Sequence, residues 1–260
     1  MSKKDLGTPP TNRGVKDTCK YPLIVDWVTF SGHFSSFQEM IEFLGLKNSG
    51  FEFKECSPKW FYKYSMTYEN HITLMLSQKD DYTFGCVNIS GQGCRLIESF
   101  SCFSLPDLIR RVALLENFNF SRIDIAQDII DDSFSIDTIV RAYKKGNFVC
   151  RSKFSNLMES VDDGIKGTSL YFGKKDSNCF INIYDKRAER KFLLEDMPNW
   201  TRVEVRLRAE NANGFANKIA NDEDIGFFIV ECLITTCVLS SALRTVIRHV
   251  YQPPPFGRSF

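Results

Sequence analysis

A chain of 260 residues, 43% hydrophobic and 25% charged, can bury one large core or two smaller ones and has the make-up of a soluble globular protein. A formal net charge of +1 gives no global pull toward nucleic acid, so any such surface must come from local clusters of Lys and Arg. Nine scattered cysteines, odd in number and without a CxxC pair, argue against a disulfide scaffold or a zinc ribbon and for reduced thiols in a cytoplasm.

Residues 1–20 are polar, carry Pro9, Pro10 and Gly14, and are expected to form a flexible arm with no secretory leader. Tyr21–Gly32 alternates as a strand. Ser36–Leu46 has helical spacing, with serines before it as caps. Residues 51–98 are expected to form several strands, with Thr83–Ile89 and Arg95–Ile97 making a hairpin about Ser90–Gly93. Leu105–Glu116 predicts a helix opened by Ser104 and Pro106, followed by a strand over Ser121–Ile129 and a helix over Ile136–Lys145. Asn156–Gly167 is expected to be a loop. After it come a strand from Ser169, a polar turn, a second strand ending at Tyr184 and a basic helix start. Trp200–Arg208 predicts a strand, Asn213–Ala220 a helix, and Glu223–Val250 a long buried helix stopped by Pro253. Residues 21–252 are expected to be one catalytic domain, with 253–260 as a tail.

The fold expected is α+β, an antiparallel sheet with helices packed on one face. The similar openings of Val25–Phe30 and Arg122–Ile129 suggest two pseudo-symmetric halves.

Strand periodicity assigns faces. Arg122, Asp124, Ala126 and Asp128 share one face of their strand, as do Phe180, Asn182 and Tyr184, and Trp200, Arg202, Glu204, Arg206 and Arg208. Any one such face is more often a solvated surface laced with ion pairs. Three together, rich in Trp, Tyr, Asn and Arg, point to a site.

The chemistry that fits is phosphoryl transfer. Carboxylates such as Asp124 and Glu204 can hold Mg²⁺ or Mn²⁺ through oxygen. Tyr184 would be the nucleophile, and Lys186 with Arg202 or Arg206 would supply positive charge. Arg122, Asn182, Arg187, Arg190, Lys191 and Trp200 are candidate DNA contacts. The histidines His33, His71 and His249 are isolated and give no histidine–metal motif.

Phe120–Asp128, Leu170–Arg190 and Trp200–Leu207 resemble the transesterifying rolling-circle replication initiators and related relaxases of plasmids, phages and integrative elements. The block about Tyr184 is the specific one. The resemblance implies that Tyr184 attacks one DNA strand at an origin, becomes linked to the 5′ phosphate and frees a 3′ hydroxyl. It places Lys186 beside the nucleophile and matches Asp124 and Glu204, and less closely Asp128, to divalent-metal binding. The partners expected are single-stranded or extruded origin DNA, a host helicase and a second copy of the chain, with no membrane. Two rivals remain: a non-catalytic DNA-binding or regulatory protein that keeps the fold, and a metal-dependent phosphodiesterase that uses water.

Overall fold

The computed structural model describes residues 23–79, 82–132, 134–147, 149–150, 152–162, 165–189, 198–223, 225 and 237–238. It is a mixed α+β protein built on antiparallel sheet, and it divides into two compact units. The first holds residues 24–124 and 212–222, and the second chiefly 125–211. The arm at 1–20, the tail at 253–260, Arg190 and Lys191 lie outside the described residues.

The first unit opens with β1 (Leu23–His33) and α1 (Phe37–Phe43). It continues through β2 (Lys54–Glu55), β3 (Tyr64–Tyr68), β4 (Ile72–Lys79), β5 (Tyr82–Ile89), α2 (Gly91–Phe100), α3 (Leu105–Ala113) and the first half of β6 (Asn119–Ile130). Its strands lie in the order β2-β3-β4-β5-β1-β6. The β1–β5, β2–β3, β3–β4 and β4–β5 pairs are antiparallel. Val28, Phe30, Ile72, Leu74, Val87 and Ile89 are fully buried, and Phe30 lies 6.0–6.5 Å from the rings of Phe43, Phe118 and Phe120. Each such side chain contributes about 1.5–3 kcal/mol by leaving water.

Helix ends follow the cap residues. Ser36 accepts from the Glu39 amide, and Ser104 forms a reciprocal capping box with Asp107.

The hairpin expected about Ser90–Gly93 is not formed. β5 ends at Ile89, and Ser90 is instead the N-cap of α2, accepting from the Gly93 amide. Cys94, Ile97 and Glu98 are buried at helical spacing, so the run after Ser90 keeps a period of 3.6. Gly93 serves close packing, since a Cβ there would come within 2.4 Å of the His71 carbonyl oxygen.

The second unit takes the rest of β6, then α4 (Ile136–Lys144), β7 (Val149–Cys150), β8 (Ser155–Asp162), β9 (Ile165–Phe172) and β10 (Cys179–Asp185). It ends with α5 (Lys186–Glu189), β11 (Trp200–Arg208), the start of α6 (Ala209–Ala220) and β12 (Cys237–Val238). Its main strands lie in the order β6-β11-β10-β9-β8. The loop expected over Asn156–Gly167 is instead the β8–β9 hairpin, with Asn156 opposite Tyr171 and Ser160 opposite Gly167. β8 stands at the sheet edge, and Met158 and Val161 are 47% and 75% exposed, so no apolar face marks it as a strand. Of the helix expected over Glu223–Val250, most lies outside the described residues, but Cys237–Val238 pairs as a strand with β7.

The two units share a plan. Each opens on a strand and a helix, and each meander ends on a strand that runs into a helix. Val87-Asn88-Ile89 ends the first meander before the Ser90 cap, and Ile181-Asn182-Ile183 leads in the second to Tyr184 and the Asp185 cap. The second unit adds β11 between β10 and β6.

Cys56, Cys86, Cys94, Cys102 and Cys179 are not joined in disulfides. Burial pushes the Cys86 thiol up to about 12, so it behaves as a small core side chain. No helix among the described residues is long and apolar enough to cross a membrane.

Candidate active site

The register of the second unit gathers the polar residues. Tyr184 on β10 stands opposite Arg202 on β11, Asn182 opposite Glu204, and Phe180 opposite Arg206. On its other side β10 sets Asn182 against Tyr171 and Tyr184 against Ser169 of β9. Tyr184, Asn182, Glu204, Arg206, Tyr171 and Glu189 all line one cavity of about 490 Å³.

Tyr184 is 8% exposed, and the Lys186 ammonium donates a hydrogen bond to its phenol oxygen at 3.3 Å. Lys186 is itself buried and forms an ion pair with Glu189, one helical turn on. The turn is fixed by Asp185, whose carboxylate accepts from the Arg187 amide at 2.9 Å and the Ala188 amide at 3.1 Å. The Asp185 cap therefore aims the lysine back at the tyrosine. Spacing alone hid both acids, because a lone Asp and an i,i+3 Lys–Glu pair are common on any helix start.

Arg202 and Asp128 form a buried bidentate pair, with Nε and Nη2 each 2.6 Å from a carboxylate oxygen and side chains 6% and 5% exposed. Both Asp128 oxygens thus face a guanidinium, which is a support for Arg202 more than a free metal ligand. Neither residue lines the cavity.

Arg206 lies over the Phe180 ring at 5.5 Å, and its Nη2 is 3.4 Å from Glu204. Phe180 is buried and stacks on Tyr171 at 5.6 Å, so of the two only Tyr171 lines the cavity. Trp200 is half-buried with its indole N–H lacking a partner, and Arg187 is half-buried beside the Asp185 cap.

Asp124 belongs to the first unit. Its carboxylate takes Nε and Nη2 of Arg122, and that guanidinium lies 4.0 Å over the Trp27 ring.

No group of three or more His, Cys, Asp or Glu side chains is gathered for a metal among the described residues. Two oxygen-bearing side chains of the cavity stand on opposite residues of the β10–β11 pair. The Asn182 amide oxygen is buried without a hydrogen-bond partner, opposite the Glu204 carboxylate in the same cavity. A buried acceptor with no donor is costly unless something positive fills the space. The pair therefore suits a hard cation.

The family model described as "Replication initiation factor" matches residues 118–242. The "Putative DNA relaxase NicK" of Bacillus subtilis (strain 168) is 30% identical, over 98% of this chain and 78% of that protein. Among solved structures, a rolling circle replication initiator protein from Geobacillus stearothermophilus superposes with a TM-score of 0.74. That match covers 86% of this chain and 91% of the other at 23% identity, and it speaks for the fold.

Proposed function

The chain belongs to the replication initiation factor family, and on that premise we propose that it nicks and rejoins one DNA strand at a replication or transfer origin through Tyr184. The observation that carries this reading is the buried Lys186–Tyr184 hydrogen bond at the wall of a cavity shared with Glu204 and Arg206.

The phenol oxygen of Tyr184 attacks phosphorus, and the bond from phosphorus to the 3′ oxygen breaks. The downstream strand stays on the tyrosine through its 5′ phosphate, and the upstream strand leaves with the 3′ oxygen. The proton lost by the phenol is balanced by the one gained at the freed 3′ hydroxyl, and rejoining runs the same step backwards. Lys186 stabilises the negative charge that develops on the attacking oxygen. Glu189 and the Asp185 cap hold that lysine in place. Arg206 meets the phosphate oxygens from the cavity wall. Arg202, held by Asp128, stands opposite Tyr184 on the neighbouring strand.

Glu204 and Asn182 would hold a divalent cation, Mg²⁺ or Mn²⁺. When bound, it supplies further positive charge for the phosphate. Glu204→Gln and Asn182→Leu are each expected to weaken Mn²⁺ binding at least about tenfold, read by isothermal titration or by the Mn²⁺ electron-spin signal without DNA. Unchanged Mn²⁺ affinity in either variant removes that residue from the set.

The test of the reaction uses labelled single-stranded oligonucleotides from the origin region with Mn²⁺, run on a denaturing gel. The proposal expects a protease-sensitive DNA–protein adduct. Cleavage without an adduct would replace the tyrosine by water as nucleophile, and salt-sensitive binding without cleavage would make the chain a non-catalytic binder.

A further inference from the structure

The connection from β2 to β3, Cys56–Lys63, is an aromatic loop built to face outward. Trp60 is 66% exposed and Phe61 78%, and Tyr64, the first residue of β3, is 50% exposed. Lys59 and Lys63 between them are exposed as well, and no carboxylate occurs between Glu55 and Glu69.

The loop is anchored from below. Tyr62 is 4% exposed, stacks on Phe84 with centroids 6.1 Å apart and planes within 7°, and packs with Met75 and Cys86. The Tyr62 amide donates to the Lys59 carbonyl at 3.2 Å, the Lys59 amide to Ser65 Oγ at 3.3 Å, and the Lys63 amide to Ser77 Oγ at 3.0 Å. One ring is thus spent on fixing the loop while its neighbours stay in water. Phe61 stacks on Tyr62 at 4.6 Å, and the Lys63 ammonium lies 5.2 Å over the Tyr64 ring.

Trp60 also sits at φ 56°, the left-handed region that a bulky side chain occupies only at a cost. The fold gains no burial from that strain. Wide flat rings, two lysines and no acid suit a ligand with flat faces and negative charge. From Lys59 to Tyr64 every exposed side chain is aromatic or a lysine, and lysine is depleted at protein interfaces, which favours stacking on bases over contact with a protein partner.

We propose that the Lys59–Tyr64 loop is a stacking platform for unpaired bases of the DNA strand, with Lys59 and Lys63 on the flanking phosphates. The proposal rests on the DNA-nicking reading above and assigns the first unit its own DNA-binding surface.

The test measures binding of a fluorescein-labelled oligothymidylate to the full chain by anisotropy, in the wild type and in a Tyr184→Phe background. Trp60→Ala with Phe61→Ala is expected to weaken binding at least about fivefold for each ring that stacks. Trp60→Phe should keep most of the affinity. Lys59→Ala with Lys63→Ala should flatten the plot of log affinity against log salt by about 0.7 for each phosphate that is no longer neutralised. These side chains are exposed, so an unchanged thermal transition shows that the variants still fold.

Equal affinity in the double aromatic variant overturns the platform and leaves the nicking reading standing. A change confined to self-association overturns it too, in favour of an interface between copies. If no form of the protein binds the oligonucleotide, the platform and the DNA-nicking reading fail together.

Discussion

Tyr184→Phe is expected to abolish strand cleavage while leaving the fold and DNA binding in place. The change removes one oxygen from a side chain that is 8% exposed, so the ring still fills its place. Lys186 loses one acceptor but keeps its ion pair with Glu189. Loss of an activated nucleophile costs other enzymes about 10⁴–10⁶ in rate, and a drop of at least ~10⁴ is expected here. Rates from a denaturing gel, with affinity by anisotropy alongside, check it. Cleavage within tenfold of the wild-type rate would remove the tyrosine from the chemistry.

The second large effect lies in the buried pair that holds Arg202. Asp128→Ala takes both carboxylate oxygens away from the buried Arg202 guanidinium, and breaking a buried pair from one side costs about 3–5 kcal/mol. By contrast, the Lys47–Glu42 pair lies in water, where screening and side-chain entropy offset its attraction, so its loss is expected to leave stability essentially unchanged. Urea unfolding of Asp128→Ala and Glu42→Ala reads both. A loss below about 1 kcal/mol for Asp128→Ala would mean that the pair does not organise the unit. A large fall in Mn²⁺ affinity in a stable Asp128→Asn protein would return this carboxylate to the metal set.

The strands that carry the site were legible because they alternate without interruption. Phe180, Asn182 and Tyr184 share a face in the sequence pattern, as do Arg202, Glu204 and Arg206, and antiparallel pairing needs only to set the two rows side by side. What the period cannot give is register, and with it the partners. The sequence showed Asp128 and Arg202 as separate candidates, while the sheet pairs them with each other. Asp124 likewise lies with Arg122, two residues away on its own strand.

Elements were misread where solvent or a cap hid the pattern. β8 is an edge strand with apolar side chains in water, so its composition resembles a loop. Ser90-Gly-Gln-Gly93 has the residues of a turn, but a serine cap and a glycine forced by the His71 carbonyl use them to start a helix. The aromatic loop before β3 is not legible in the sequence, because Trp, Phe and Tyr in a row resemble core until their exposure is known.

The most direct test of the account maps the covalent adduct. Full-length protein is reacted with a short single-stranded oligonucleotide and Mn²⁺, digested with nuclease and trypsin, and read by tandem mass spectrometry. A 5′-phosphonucleotide on the phenol oxygen of Tyr184 is the result predicted. Cleaved DNA with the modification on another residue, or on none, would contradict it.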